Sequence, residues 1–229
     1  MELLESHPIG EPPAEQPFRG EHRWPVALAI AVAAGLLVVV PERLTIGPAW
    51  LIPVVVAILM VAVVLADPGR VNRVGTTTRV LSIALLVVLG AGAAFATARL
   101  VVELVEGGGV TNSASELLRA GAVVWIDNVI VFGLLYWELD AGGPAARLHR
   151  HRAYPDFAFP QTLNPDIAPP GWRPVFVDYL YVGTTNATAF SPTDAMPLAP
   201  WAKLTMAAQS MISILLLSLV IARAVNILH

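Results

Sequence analysis

The residues best suited to chemistry in this chain form one short stretch of hydroxyl and carboxyl side chains before its last apolar segment. Residues 187–194 read Ala-Thr-Ala-Phe-Ser-Pro-Thr-Asp, which places hydroxyl groups at Thr188, Ser191 and Thr193 and a carboxylate at Asp194. Rings of such oxygen atoms, repeated around an axis, attract cations. The same residue types also favour ordinary turns and helix caps. The stretch is therefore interpreted either as a cation-binding constriction or as a structural turn.

Polar side chains within the last apolar segment form a second set of candidates. Gln209 and Ser213 lie four positions apart, on one face of a helix, and Ser210 is beside them. If the chain forms a pore, these residues line a wet cavity beneath the constriction. The alternative is that they hydrogen-bond neighbouring helices, as polar residues commonly do inside membranes.

Two carboxylates fall within or beside apolar segments. Asp127 lies near the middle of the fourth one, where an acid is costly unless it is paired, so it is a functional hypothesis by default. It could bind a cation or relay protons. Alternatively, it could have a structural role, either pairing with Arg99, Arg119 or Arg223 or hydrogen-bonding the half-length helix while protonated, and we favour the structural role. Asp178 lies in a shorter stretch, where a carboxylate could cap the start of a helix and interact with its dipole.

Composition indicates that these residues belong to an integral membrane protein. Of the 229 residues, 56% are hydrophobic and only 14% are charged, and a soluble domain could not bury that much apolar surface. The absence of cysteine excludes disulfides, thiolate metal sites and cysteine nucleophiles. The sequence has no phosphate-binding loop, nucleophile triad or metal-binding motif. We therefore expect no enzyme, no cofactor, no bound metal and no nucleic-acid partner.

Five apolar segments are candidates to cross a bilayer, since about 20 helical residues span its hydrocarbon core. They cover residues 24–40, 50–66, 80–105, 112–137 and 204–228. Residues 174–188 are too short and too polar for a sixth span. We interpret them as a half-length helix followed by a turn that returns to the same surface, with a tilted sixth span as the rival interpretation.

The predicted architecture is therefore all-α and polytopic, with five transmembrane helices plus one re-entrant helix and loop. Its predicted regions are a disordered polar tail over 1–23, a three-helix membrane region over 24–111, and a pore module over 112–229. The module contains a long polar loop over 139–171. Arginines concentrate in this loop and in the loop after the second segment, which favours a cytoplasmic position for both and for the N-terminus.

The last third of the chain resembles the pore module of potassium channels. In that family A-T-T-V-G-Y-G-D is followed by a proline and by W-G-R-L at the head of the inner helix. Here A-T-A-F-S-P-T-D over 187–194 is followed by Pro197 and by W-A-K-L over 201–204. The resemblance implies a homotetramer whose partners are permeating cations and membrane lipids. It implies a filter made of Thr188, Ala189, Phe190, Ser191, Pro192, Thr193 and Asp194.

The whole chain also resembles an uncharacterised family of bacterial membrane proteins that carry W-E-L-D and T-A-F-S-P-T-D motifs. In this chain the two motifs lie at 137–140 and 188–194. This resemblance implies a multi-pass protein of the bacterial inner membrane and brings no known activity.

The filter departs from the potassium-channel pattern at its glycines. Ser191 and Thr193 occupy the glycine positions, where positive φ lets successive carbonyls face the axis. Pro192 fixes its own φ and pushes Ser191 towards an extended conformation. The sequence therefore predicts a cation channel whose constriction is built from side-chain oxygens. The alternatives are a small secondary transporter coupled through Asp127 and a non-conducting structural membrane protein.

Overall fold

The computed structural model describes residues 20–68, 75–107, 113–149, 154–188 and 195–228. The described residues are mostly helical. The helices are α1 (Trp24–Val39), α2 (Leu51–Ala66), α3 (Thr76–Glu106), α4 (Ala114–Leu139), α5 (Pro144–Leu148), α6 (Pro160–Leu163), α7 (Phe176–Ala187) and α8 (Pro200–Leu228). Short 3₁₀ turns cover Glu42–Leu44, Asp140–Gly142 and Pro165–Ile167, and two-residue strands β1 (Phe157–Ala158) and β2 (Met196–Pro197) pair antiparallel.

Three of the described helices are long and apolar enough to cross a membrane. They are α3, α4 with the turn that follows it, and α8. Helices α1 and α2 are also apolar but have 16 residues each, which gives about 24 Å of helix against a hydrocarbon core of ~30 Å. The chain is therefore a mainly helical, membrane-embedded protein, and the predicted total of five spans stays a prediction.

Local sequence signals explain where several helices begin and end. Helix α1 has a proline in its first turn, where the missing N–H costs nothing and the fixed φ suits a helix. Helix α3 ends at Gly107, whose φ is +82°, a left-handed conformation that glycine adopts without strain.

Helix α4 is the centre of the fold. It packs against α1, α3, α7 and α8, and it is the most deeply buried of the three long helices. One hydrophobic cluster draws residues from α1, α2, α3, α4, α7 and α8 together with Phe157 of β1. The predicted regions 24–111 and 112–229 therefore share a core, and their division into domains stays a prediction.

Helices α4 and α8 run antiparallel. Gly121 in the first half of α4 faces Val220 near the end of α8. In the second half of α4, Tyr136 hydrogen-bonds Gln209 in the first half of α8. The C-terminal end of α4 and the beginning of α8 therefore lie at the same end of the bundle.

Helix α7 starts at that same end and runs back along α4. At its start, the Phe176 ring packs on Trp137 with ring centroids 6.2 Å apart. One turn later, the Tyr179 hydroxyl donates a hydrogen bond to Asp140. Further along, Gly183 lies against the backbone of α4, so α7 penetrates the bundle from the C-terminal end of α4.

The β1–β2 pair brings the chain after α7 back to the starting end. Phe157 is opposite Pro197 in the pair. The Phe157 ring packs on Tyr136 at 5.3 Å and on Trp201 at 5.8 Å between centroids. Both ends of the stretch 176–197 therefore lie near the C-terminal end of α4.

Two stretches contain more structure than the sequence suggests. The predicted loop 139–171 includes α5, β1, α6 and two 3₁₀ turns within its described residues. Residues 20–23, assigned to the predicted tail 1–23, join the folded body, because Arg23 pairs with Asp67 at 2.5 Å and Glu21 accepts hydrogen bonds from Trp137 and Phe176. Residues 1–19 lie outside the described residues.

Candidate functional site

Thr188 is the single predicted filter residue within the described part of the chain. It follows the last residue of α7, and its hydroxyl donates to the carbonyls of Thr184 and Thr185 at 3.1 and 3.0 Å. The hydroxyl therefore satisfies carbonyls at the end of its own helix. The other predicted filter residues, Ala189, Phe190, Ser191, Pro192, Thr193 and Asp194, lie outside the described residues, and their cation-binding role stays a prediction.

A buried network of hydrogen bonds lies between α4, α7 and α8, and Gln209 is at its centre. Gln209 has no exposed surface. Its Oε1 accepts from the Tyr136 hydroxyl and from Nδ2 of Asn186, both at 2.8 Å. Its Nε2 donates to the carbonyl of Gly183 at 2.9 Å. One amide side chain on α8 thus binds one group on α4 and two on α7.

Asn186 completes the network at the C-terminal end of α7. Its Nδ2 also donates to the carbonyl of Met206 at 2.8 Å, and its Oδ1 accepts from the Ser210 hydroxyl at 2.9 Å. Because these bonds involve both Nδ2 and Oδ1 of Asn186, they fix the orientation of its side chain and the depth at which α7 ends. The network therefore holds the C-terminal end of α7 in place against α4 and α8.

The three residues predicted to line a cavity, Gln209, Ser210 and Ser213, are placed differently from one another. Gln209 and Ser213 are fully buried inside the protomer, and Ser210 is half-buried. Gln209 and Ser210 hydrogen-bond α7, as the interhelical alternative expects. The Ser213 hydroxyl has no hydrogen-bond partner among the described residues. A role in lining a cavity between subunits stays a prediction.

Asp127 is buried in the middle of α4. Its exposed fraction is 2%, and its Oδ1 has no hydrogen-bond partner among the described residues. Among the described residues, no ion pair joins Asp127 to an arginine, which was one form of the favoured structural role. A buried acid without such a pairing is energetically costly at this depth, which keeps a functional role open.

Asp178 caps the beginning of α7. Its Oδ2 accepts a hydrogen bond from the backbone N–H of Val175 at 2.7 Å, which satisfies one of the free donors at a helix N-terminus. This is the capping role considered from the sequence. The carboxylate also interacts favourably with the positive end of the helix dipole.

The segment from Tyr136 to Asp140 connects more of the molecule than its sequence indicates. Glu138 pairs with Arg79 just inside α3, with 2.7 Å between Oε1 and Nη1. Asp140 accepts from the Tyr179 hydroxyl at 2.5 Å and from the backbone N–H of Asp156 at 2.7 Å. The sequence does show a tryptophan and two carboxylates within residues 137–140, at the end of an apolar segment, which could have indicated a polar cluster there. It does not specify the partners of these side chains.

Glu21 adds the N-terminal segment to this cluster. Its carboxylate accepts from Trp137 Nε1 at 2.9 Å and from the backbone N–H of Phe176 at 2.6 Å. Burial raises the pKa of Glu21 above its usual value, and the two hydrogen bonds act in the opposite direction. A single side chain therefore joins the chain before α1 to the end of α4 and the start of α7.

Comparison of the chain with protein-family models, with characterised proteins and with solved structures gives no match. The resemblance to potassium-channel pore modules therefore stays a prediction. Within the described part of the chain, no cluster of three or more metal-ligating side chains is found. The features of the described residues that bear on function are the position of both ends of the stretch 176–197 and the network around Gln209.

Proposed function

We propose that this protein is a membrane channel for cations in which α7 and the residues up to α8 form a re-entrant pore loop. The observation that supports the proposal best is the path of the chain, which enters and leaves the stretch 176–197 near the same end of α4. Helix α7 has 12 residues, or about 18 Å, which is too short to cross a hydrocarbon core of ~30 Å.

The depth of the turn follows from the contacts of Asn186. Its side chain bonds Met206 and Gln209, which lie about 9–14 Å along α8 from its first residue, Pro200. The connection from α7 to α8 therefore begins well inside the layer of helices. Irregular backbone at such depth is tolerated in a membrane when it is enclosed by protein or borders a water-filled cavity.

In a fourfold assembly, this connection would form a ring of oxygen atoms that binds cations. Four copies of residues 188–194 would surround an axis with the hydroxyls of Thr188, Ser191 and Thr193 and with the carboxylate of Asp194. Such a ring attracts cations and repels anions. The absence of glycine at positions 191 and 193 favours side-chain oxygens over stacked carbonyls, so selectivity of the potassium type is not part of the proposal.

The carboxylate ring is tested by measuring cation flux into liposomes that contain purified protein. We expect Asp194→Asn to lower cation flux several-fold and to weaken the preference for cations over anions. Asp166→Asn serves as the matched control, because Asp166 is exposed on a 3₁₀ turn of the long loop. Flux and ion preference that are the same in both variants would overturn the role of Asp194.

A second candidate function is a secondary transporter coupled through Asp127. The favouring observation is the buried Oδ1 of Asp127, which lacks a partner among the described residues. On this alternative, Asp127→Asn abolishes uptake that depends on a pH gradient. On the channel proposal, the same variant keeps most of its passive conduction.

A further inference from the structure

The outer surface of the bundle contains a groove that the protomer does not fill. It lies between α3, α4 and α8 and has a volume of about 570 Å³. Gly90, Ala94 and Ala98 line it at intervals of four residues, so they follow one face of α3. Small residues at this spacing allow a second helix to approach closely inside a membrane.

Packing within the protomer does not require glycine at position 90. A Cβ atom added to Gly90 would meet one neighbour, Val131, at an ordinary distance of 3.8 Å. The same atom on Gly92, which faces α1 and α2, would lie 3.0 Å from Ile52 and 3.1 Å from Leu37. Gly92 therefore serves internal packing, whereas the Gly90 face remains available to a partner.

A buried polar group also faces this groove. Asn128 lines it, is 5% exposed, and has an Oδ1 without a hydrogen-bond partner among the described residues. It lies 14 residues from either end of the apolar stretch Ala114–Gly142, or about 21 Å along the helix. Lipid headgroups do not reach that depth, and a polar group on another membrane helix is a suitable partner for such a side chain.

We propose that the groove receives α8 of a second copy of this chain and that Ser218 of this second copy hydrogen-bonds Asn128. The outward face of α8 has a row of exposed residues with helical spacing, Met211, Ile214, Ser218, Ile221 and Val225. Four of the five are large and apolar, and the fifth provides one hydroxyl at its centre. A serine hydroxyl both donates and accepts, so it can pair with either end of the Asn128 amide.

The two polar groups lie within about one helical turn of each other in depth. Gly121 and Tyr136 of α4 are level with Val220 and Gln209 of α8, so Asn128, about halfway between the first two, is level with residues near 214–215. Ser218 is then about 5 Å away along the bilayer normal, or roughly one helical turn. Rotation about an axis normal to the membrane keeps every residue at its depth, so cyclic symmetry can bring these two groups together.

The contact joins two different surfaces, a groove on one copy and a convex helix on the next. Such heterologous contacts close into rings when the rotation permits. The inference rests on the proposed function for its cyclic symmetry, since a pore needs several copies around one axis. It does not depend on whether the resulting ring conducts ions.

The chain has no cysteine, so engineered cysteines can test the contact in native membranes. We expect the double variant Ala94→Cys/Ser218→Cys to form, on mild oxidation, a ladder of cross-linked species that ends at the tetramer. Phe95→Cys/Ser218→Cys is the matched control. Phe95 is also exposed but is turned about 100° away from Ala94 around α3, outside the groove. We expect this control to remain largely monomeric.

A second variant tests the groove without chemistry at cysteine. Ala94 is exposed in the protomer, so we expect the Ala94→Phe variant to fold. Because the phenylalanine ring fills the groove, we expect the variant to be monomeric in mild detergent. A purely monomeric product from Ala94→Cys/Ser218→Cys, or equal ladders from both cysteine pairs, would overturn the inference. A tetrameric ladder without cation flux would support the contact and count against the channel. Cation flux without the ladder would support the channel and overturn the contact.

Discussion

At the scale of single residues, Gln209 shows how one amide can determine the position of a whole element. It is fully buried on α8, and it bonds the Tyr136 hydroxyl on α4 and both Asn186 and Gly183 on α7. Its acceptor and its donor both have partners, which makes its burial tolerable. Any shift of α7 along α8 would break at least two of these bonds together.

Removal of the Gln209 amide should destabilise the protein. We expect Gln209→Leu to lower the free energy of unfolding by about 2 kcal/mol, because the Tyr136 hydroxyl, the Asn186 amide and the Gly183 carbonyl lose a buried partner. The measurement is reversible unfolding in mixed micelles of mild detergent and dodecyl sulfate.

Ser210→Ala is the comparison for Gln209→Leu. The Ser210 hydroxyl is half-buried and serves the oxygen atoms of Asn186 alone, so we expect a loss below about 1 kcal/mol. If the two variants lose equal stability, or if Gln209→Leu loses none, the network does not fix α7.

At the scale of elements, α7 is held against α4 by a close backbone contact. A Cβ atom added to Gly183 would lie 3.0 Å from the carbonyl oxygen of Val129, and one added to Gly133 would lie 3.1 Å from Cα of Leu180. Two glycines on facing helices therefore allow the backbones to approach more closely than side chains would permit. This approach brings the end of α7 within reach of Gln209.

The prediction for this contact compares two identical substitutions. Gly183→Ala should destabilise the protein by about 1–3 kcal/mol, because backbone atoms on both sides must move. Gly35→Ala in α1 should stabilise it by ~1 kcal/mol, because alanine is the better helix former and an added Cβ atom there meets nothing within 4 Å. Unfolding measured in the same micelles gives both values, and a stabilising effect of Gly183→Ala would contradict the close contact.

Much of the helical framework could be predicted from the sequence, since long apolar segments leave few alternatives in a membrane. The predicted segments 80–105 and 204–228 correspond to α3 and α8, and the predicted short helix 174–188 contains α7. The β1–β2 pair could not be predicted, because two residues are too few for a periodic pattern. Hydrogen bonds from Gln209 to neighbouring helices could be considered from the sequence, but their partners could not be predicted. Spacing places Gln209 on a face of α8 and does not say which helix covers that face.

At the scale of the whole molecule, the end of α4 acts as the common support of the fold. Trp137 binds Glu21 before α1, Glu138 binds Arg79 of α3, and Asp140 binds the segment around Asp156 and the Tyr179 hydroxyl of α7. These partners come from four separate parts of the chain. The surface at which the proposed pore loop opens is therefore held by polar bonds. A second hydrophobic cluster, made of residues from α3, α4 and α8 together with Val40 and Leu44, packs the opposite end of the bundle.

The prediction for the whole molecule is that Asp140→Ala loosens two distant segments at once. Asp140 accepts from the backbone N–H groups of Asp156 and Phe157 and from the Tyr179 hydroxyl. Their loss, at about 1–3 kcal/mol, should accelerate amide hydrogen exchange roughly 10- to 100-fold in the β1–β2 pair and in the first turn of α7.

The matched variant is Tyr179→Phe, which removes one of the three bonds and leaves both backbone bonds in place. We expect it to accelerate exchange in α7 and to leave β1 nearly unchanged. If Asp140→Ala changes exchange in α7 alone, the end of α4 does not join the two segments, and the support for the return of the chain at β2 must come from ring packing around Phe157 instead.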